Sequence, residues 1–382
     1  MRSAAHRQAH ARGCRVIETP NVARAELAAT QPPTPKRAGG LLARRPAILS
    51  SVWRWATALL GALVIFSALL VAQGADPLSV IADMWSSTFA QPQSLEQLFV
   101  RMAPLVLAAL AVVVPARAGM SNVGGEGQVM VGAVTACGAA LALDQSLPGG
   151  LMLIVMIVAG MAGGAAWAAI AGVLRLTLKV NEAVSTLLLN FVALDLLLFL
   201  IYQPWRATPS GQPATRELAD AAKLPVISGT SINIGIAIAV IATIAVALVL
   251  TFTRWGFRLS VVGGNQEAAR RSGMPVALLL FSAILVGGAL AGLAGVIQFS
   301  GVEYKLRPGF ADQIGYVGFL ASWLARHKPV PVLIASAVLA ALSLAGDSLQ
   351  LDAQLPAATV NILTGLILVA VLGWTQAKAK KI

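Results

Sequence analysis

Apolar stretches recur along the 382-residue chain at a length and spacing that predicts membrane helices. A bilayer span needs ~20 mostly apolar residues, because hydrocarbon offers backbone N–H and C=O groups no partner and a helix pairs them internally. Ten stretches approach that length: 52–73, 98–116, 120–143, 151–173, 182–202, 232–253, 275–299, 310–325, 329–346 and 356–374, the eighth being short. The pattern predicts an all-α polytopic membrane protein of about ten transmembrane helices. It divides the chain into a tail over 1–51, a transmembrane domain over 52–374 and a short end over 375–382. The polar interruptions are equally informative. Between the second and third stretches, residues 117–128 read Arg-Ala-Gly-Met-Ser-Asn-Val-Gly-Gly-Glu-Gly-Gln. A loosely wound polar break of this kind survives in a membrane where it lines a cavity, and many transporters hold substrate there.

Composition agrees: 57% of residues are hydrophobic and 12% charged, against about 25% charged in soluble domains. The net charge of +12 raises the question of nucleic acid, but its placement argues for a membrane surface instead. Residues 1–54 hold ten Lys/Arg against Glu18 and Glu26, as expected of a cytosolic start touching anionic lipid. Pro, Ala and Arg without an apolar period predict disorder there. Arg44-Arg45 resembles a twin-arginine export signal, but the apolar run Val52 to Val71 exceeds the 7–15 residues of a signal core. It reads as an uncleaved first span. Cys14 and Cys137 are isolated and make neither a disulfide framework nor a metal site.

Charge also sets topology. Residues 74–97 hold Asp76, Asp83 and Glu96 with no Lys or Arg except beyond them, so that connection is assigned outside. Alternate connections then carry Arg117; Arg175 and Lys179; Arg254, Arg258, Arg270 and Arg271; Arg326 and Lys328; and Lys378, Lys380 and Lys381. Basic loops stay in the cytoplasm, which places both termini there. Outside connections carry Asp144, the mixed loop 203–231, Glu303 to Arg307, and Asp347 with Asp352; Lys305 and Arg307 are the exception. Arg117-x-Gly119-Met120-x-Asn122 returns 190 residues later as Arg307-x-Gly309-Phe310-x-Asp312. An odd number of spans separates the copies, as inverted-topology repeats require.

Residues 254–275 predict a cytoplasmic helix of about two turns: Asn265 suits an N-cap, Gly273 the C′ position, and Pro275 can open the next span. Ala268 and Ala269 offer a small face that another protein could approach, and Arg270 and Arg271 a wet one. Docking by a partner and rest on lipid headgroups both fit.

Candidate site residues follow from the same patterns. Glu182, Thr186 and Asn190 fall at i, i+4 and i+8, within about 80° of one another on a helix. Such a stripe faces the pathway or bonds to another helix; Glu182 could also pair with Lys179 or Arg175. Asn122, Glu126 and Gln128 supply donors and acceptors suited to a hydroxyl-rich ligand, while Glu126 could instead hold Arg117. Asp195 stands apart, about 140° to 180° from the stripe, where proton coupling or burial against a neighbouring helix would account for it. Phe191, Phe199, Tyr202 and Trp205 read as interfacial anchors.

These blocks resemble a known family, the permease subunits of bacterial ABC importers for nucleosides and simple sugars, within the wider branched-chain amino acid and ribose permease group. The likeness covers roughly residues 98–374. It rests on Arg117-Ala118-Gly119, Asn122-Val123-Gly124-Gly125-Glu126-Gly127-Gln128 and Gly132-Ala133; on Asn181-Glu182, Ser185-Thr186 and Leu189-Asn190; and on Gly263-Gly264-Asn265-Gln266-Glu267-Ala268-Ala269-Arg270-Arg271-Ser272-Gly273. The eighth span departs from the family pattern, its Asp312 displaced by one residue in Gly309-Phe310-Ala311-Asp312-Gln313-Ile314-Gly315-Tyr316. The basic tail also lies outside that pattern.

The resemblance implies a permease rather than an enzyme, in a bacterial inner membrane. It implies a second permease subunit, the same or homologous, an extracytoplasmic substrate-binding protein, and an ATP-binding ABC subunit gripping a coupling helix. That helix would carry Gly264, Asn265, Glu267, Ala268, Ala269, Arg270 and Gly273. No Gly-x-x-x-x-Gly-Lys-Ser/Thr occurs, so ATP and Mg belong to the partner and no cofactor is expected in this chain. The pathway candidates are Asn122, Glu126, Gln128, Thr186, Asn190 and Asp312. The rival readings are a stand-alone ion-coupled secondary transporter using Asp195, Glu126 or Asp312, and a channel or scaffold with the break as a structural hinge.

Overall fold

The computed structural model describes residues 60–61, 63–143, 147–208, 210–352, 362 and 365–366. The basic tail, the start of the first predicted span, Asp144, all but three residues of the tenth span and the C-terminal lysines lie outside the described residues.

Helices follow the apolar stretches closely. They are α1 (Leu63–Ala72), α2 (Pro77–Ala90), α3 (Pro92–Arg117), α4 (Gly125–Ala142), α5 (Gly149–Leu178), α6 (Glu182–Tyr202), α7 (Gly235–Phe252), α8 (Arg254–Gly264), α9 (Gln266–Arg271), α10 (Val276–Gln298), α11 (Ile314–Leu324) and α12 (Pro329–Asp352). Among the described residues there is no strand, only a bridge between Val226 and Asn233. Six helices (α3, α5, α6, α7, α10 and α12) are long and apolar enough to cross a membrane. The bent pair α1–α2 would make a seventh. α4, with Glu126 and Gln128 in its first turn, is not among these.

Local chemistry sets several boundaries. Asp76 caps α2 by accepting the N–H groups of Leu78 and Ser79 at 3.3 and 3.2 Å, ahead of Pro77. α1 and α2 meet at 117°, so the connection predicted over 74–97 contains a helix that folds back sharply. The eighth stretch, 310–325, already short in the sequence, forms a helix of only 11 residues, α11, about 16 Å of rise against a ~30 Å hydrocarbon core. Left-handed backbone at Gly309, Ala311 and Gln313 prevents an earlier helical start.

α3 and α10 are central. Of their apolar windows 83% and 61% are buried, against 22% for α5 and α7, so α5 and α7 are the peripheral pieces. The packing of α4, α5 and α10 is glycine-mediated. Gly160 and Gly164 on α5 face Gly288 and Gly292 on α10, and Gly132 on α4 meets Gly292 so closely that an added Cβ would strike backbone. Small residues four apart let membrane helices approach to backbone contact, where dispersion replaces the hydrophobic effect that lipid cannot supply.

The two ends of the bundle are chemically distinct. At one end, Ser231 donates its N–H and hydroxyl to Glu96 at 2.9 and 2.6 Å. There the loop after α6 also bonds along residues 300–306, through Leu224 N–H to the Ser300 carbonyl and Thr215 N–H to the Leu306 carbonyl. At the other end, the Arg117–Gly119 turn meets Gly263, and Arg175 pairs with Glu182. Among the described residues, Arg117 and Arg175 thus share one end with the 254–275 segment, while Glu96 and the 203–231 loop share the other. Arg307, an exception to the charge alternation, is ion-paired with Glu303 at 2.7 Å.

Candidate functional site

The polar break between α3 and α4 is a closed knot. Asn122, Glu126, Gln128, Thr186 and Asn190 come together as the sequence suggested, and each is at most 4% exposed. Their hydrogen bonds go to one another, to backbone and to the Tyr316 hydroxyl. Asn122 and Gln128 exchange amide bonds at 2.9 and 3.0 Å. Asn122 also donates to the Ala111 carbonyl and accepts the Gly124 N–H. Thr186 accepts the Val123 N–H at 3.2 Å and donates to the Glu182 carbonyl at 2.7 Å. Asn190 accepts the Gly127 N–H at 2.9 Å and donates to the Val123 carbonyl and the Tyr316 hydroxyl.

Glu126 faces neither an open pathway nor Arg117, which is exposed. Its carboxylate accepts the N–H groups of Gln313, Gly315 and Tyr316 at 2.8, 2.6 and 3.3 Å. These are the orphan donors of α11's first turn, and a carboxylate there also offsets the positive end of the helix dipole. Gly125 packs against Gly315, so α4 and α11 meet start to start inside the protein. Each follows one copy of the sequence echo, and each copy holds a left-handed glycine, Gly119 at φ +76° and Gly309 at φ +79°.

Energetically the knot prevents a loss. An interhelical hydrogen bond in a membrane is worth about 0.6 kcal/mol, whereas a polar group unpaired in hydrocarbon costs several. Glu182 joins the margin through Arg175 and the Ser121 N–H, as its pairing reading anticipated.

Asp312 is the one pathway candidate that faces open space. It lines a cavity of about 720 Å³ between α3, α11, α12 and the turn after α10, with Gln298, Gln313 and Ser343. Arg101 and Asp347, paired at 2.6 Å, form its far wall. Sequence reasoning missed Gln298, Gln313, Ser343, Arg101 and Asp347. Gln298, Ser343, Arg101 and Asp347 sit singly on apolar helices and Gln313 in the turn before α11, and they converge only in three dimensions.

The cytoplasmic hinge holds two helices where the sequence suggested one. Thr253 caps α8, accepting the Gly256 N–H at 3.1 Å. Asn265 caps α9, accepting the Ala268 N–H at 3.0 Å. Gly273, at φ +79°, closes α9 by donating to the Arg270 carbonyl. Gly264, Asn265, Glu267, Ala268, Arg270 and Gly273 are exposed, and Glu267 pairs with Arg271 at 3.1 Å. Ala269 is fully buried within the chain, which corrects its assignment to the outward small face; Ala268 alone remains there. The hinge touches the break directly: a Cβ on Gly119 would lie 3.3 Å from the Gly263 backbone, and one on Gly263 would collide with the Arg117 carbonyl oxygen. A cleft of about 480 Å³ separates α9 from the α5–α6 turn, lined by Arg175, Lys179, Glu182, Gln266 and Arg270.

A bundle of apolar helices with buried polar half-helix starts and an exposed capped hinge defines a multi-pass membrane permease. The chain belongs to the family described as the branched-chain amino acid transport system permease component, whose profile matches residues 94–372. It is 35% identical over 320 residues to the glucose ABC transporter permease protein TsgB13 of Haloferax volcanii, covering 81% of this chain and 84% of that protein. It is 27% identical to the nucleoside ABC transporter permease protein NupB of Lactococcus lactis, covering 81% and 86%. To the guanosine ABC transporter permease protein NupP of Bacillus subtilis it is 26% identical, covering 79% and 88%. As a permease component its role is conduction rather than catalysis.

Proposed function

We propose that this chain forms half of the translocation pathway of an ATP-driven importer for a nucleoside or simple sugar. It sits in a bacterial inner membrane with both termini in the cytosol. The observation that carries this reading is the contact of the exposed hinge with the polar break at Gly263 and Gly119, in a chain whose relatives are named as glucose and nucleoside permeases. An ATP-binding subunit, holding ATP and Mg, grips α9 through Asn265, Ala268 and Arg270. Its closure moves α8, and α8 moves the start of α4. An extracytoplasmic binding protein delivers cargo to the outer cavity, where Asp312 accepts its hydroxyls, and a second permease subunit completes the conduit. Asn122, Glu126, Gln128, Thr186 and Asn190 hold the starts of α4 and α11 as one joint, and the remainder of the two repeats rocks about it.

Reconstitution with the cognate ATPase and a panel of radiolabelled nucleosides and sugars tests the reading. Deleting Gln266 to Ser272 is expected to abolish ATP-driven uptake while the helices still insert; normal uptake by that variant refutes the coupling role. Solute accumulation by the isolated chain under an ion gradient alone refutes the ATP-driven reading.

A further inference from the structure

α6 has a polar face turned inward, which belongs to the knot, and an apolar face turned outward that carries one carboxylate. Glu182, Ser185, Thr186 and Asn190 are buried together with Ala193, Leu197 and Ile201. The opposite face is bare: Val184, Leu188, Phe191, Val192 and Phe199 are each more than half exposed. Asp195 stands on that bare face, 13 residues from the helix start, about 20 Å along the axis. No hydrogen bond or ion pair engages it among the described residues. Of the two readings of Asp195, burial against a neighbouring helix is not met by the described residues of this chain.

A carboxylate that deep cannot face hydrocarbon while ionised, so such residues in membrane helices border water or a partner. Its neighbours narrow the choice. Phe191 and Phe199 lie four residues to either side, 58% and 59% exposed, which places one ring a turn below the carboxylate and one a turn above on the same face. A carboxylate only accepts hydrogen bonds and can take two parallel O–H donors. Flanking aromatic rings offer flat apolar surface. Together they match a ring bearing adjacent hydroxyls, which has an apolar face and a pair of parallel donors.

We propose that the exposed α6 face lines the water-filled pathway between this chain and its second permease subunit, with Asp195 accepting the vicinal diol of the passing cargo between Phe191 and Phe199. The proposal rests on the permease reading above and adds the residues that contact cargo in transit. A free sugar and the ribose of a nucleoside share this diol, and the experiment separates them.

In the full-length chain with Cys14→Ser and Cys137→Ala, Asp195→Cys and, as a lipid-facing control, Ile241→Cys are treated in membranes with a charged maleimide and with a lipid-soluble one. The charged reagent is expected to label Asp195→Cys and not Ile241→Cys. In Val192→Cys, which keeps Asp195 and both rings and lies three residues away on the same exposed face, ribose, glucose or a ribonucleoside should slow labelling by the charged reagent and a 2′-deoxynucleoside should not; protection by ribonucleoside but by neither sugar identifies a nucleoside pathway. Reaction of Asp195→Cys with the lipid-soluble reagent alone, or with neither, overturns the proposal, as lipid-facing or dry packing respectively. Labelling that no diol protects overturns the cargo contact. In reconstituted transport Asp195→Asn is expected to raise KM by about tenfold with kcat nearly unchanged, and Asp195→Glu to recover most of it. An unchanged KM in Asp195→Asn overturns the assignment. Labelling requires no ATPase, so a wild-type chain that transports none of the panel refutes the permease reading while water access at Asp195 is still measured.

Discussion

Two segments of this chain have nearly the same composition and opposite fates. Asn122-Val123-Gly124-Gly125-Glu126 and Gly263-Gly264-Asn265-Gln266-Glu267 each combine two glycines, an asparagine and a glutamate. The first is buried, and its Asn and Glu side chains are spent on backbone N–H groups and on Gln128. The second is exposed, with one capping bond and one ion pair on the surface. Burial makes the difference. Deep in the membrane each unpaired polar group is costly, so the first segment became a fixed joint; at the rim water satisfies whatever the chain does not, so the second stays free for a partner.

Removing the carboxylate of the joint should have the largest effect. Glu126→Ala leaves three N–H groups at the start of α11 without their acceptor, and at 1–3 kcal/mol for a buried unpaired group the loss is on the order of 3 kcal/mol. It should appear as a large drop in thermal midpoint in detergent, with Glu126→Gln intermediate; wild-type stability in Glu126→Ala would erase the contrast. The paired glycines sharpen it next. Gly263→Ala should cost about 1–3 kcal/mol by forcing backbone apart, whereas Gly264→Ala, with open space around it, should be neutral in the same melt. Asn265→Ala removes the α9 cap and should cost ~1 kcal/mol locally, read as reduced ATP-driven uptake with little change in global midpoint. Glu267→Ala, whose ion pair is largely exposed, should change neither.

The smallest expected effect concerns the far end of α11, where Ser322 bonds the ring of His327 at 2.9 Å. Burial holds this imidazole below its ordinary 6.5. The folded protein therefore keeps it neutral, and the associated stability is complete above the unfolded value. It declines as pH falls below about 6.5 and levels off once the folded value is passed. His327→Gln should flatten that decline; parallel pH profiles for wild type and variant would discount it.

Much of the fold was legible because lipid imposes a simple rule on sequence. Nine of the ten predicted stretches have helices among the described residues, and charge alternation separates the two ends. Caps at Asn265 and Gly273 could be read because their chemistry is local. The start of α11 could not, because it depends on Glu126, 187 residues away. For the same reason Glu126 was read as facing ligand or Arg117. Neither the α1–α2 bend nor α8 had a sequence signal that outweighed the adjacent apolar runs. Asp195 was placed correctly on its own side of α6, but whether that side is covered depends on neighbours that periodicity cannot reveal.

Where Gly119 abuts Gly263, main chain rests on main chain. No torsionally soft side chain lies between them to act as a cushion, so this coupling has low compliance. Under the proposed coupling, a displacement at the rim would arrive at the joint with little attenuation, as through a rigid pushrod, and the stroke would be set at the driven end.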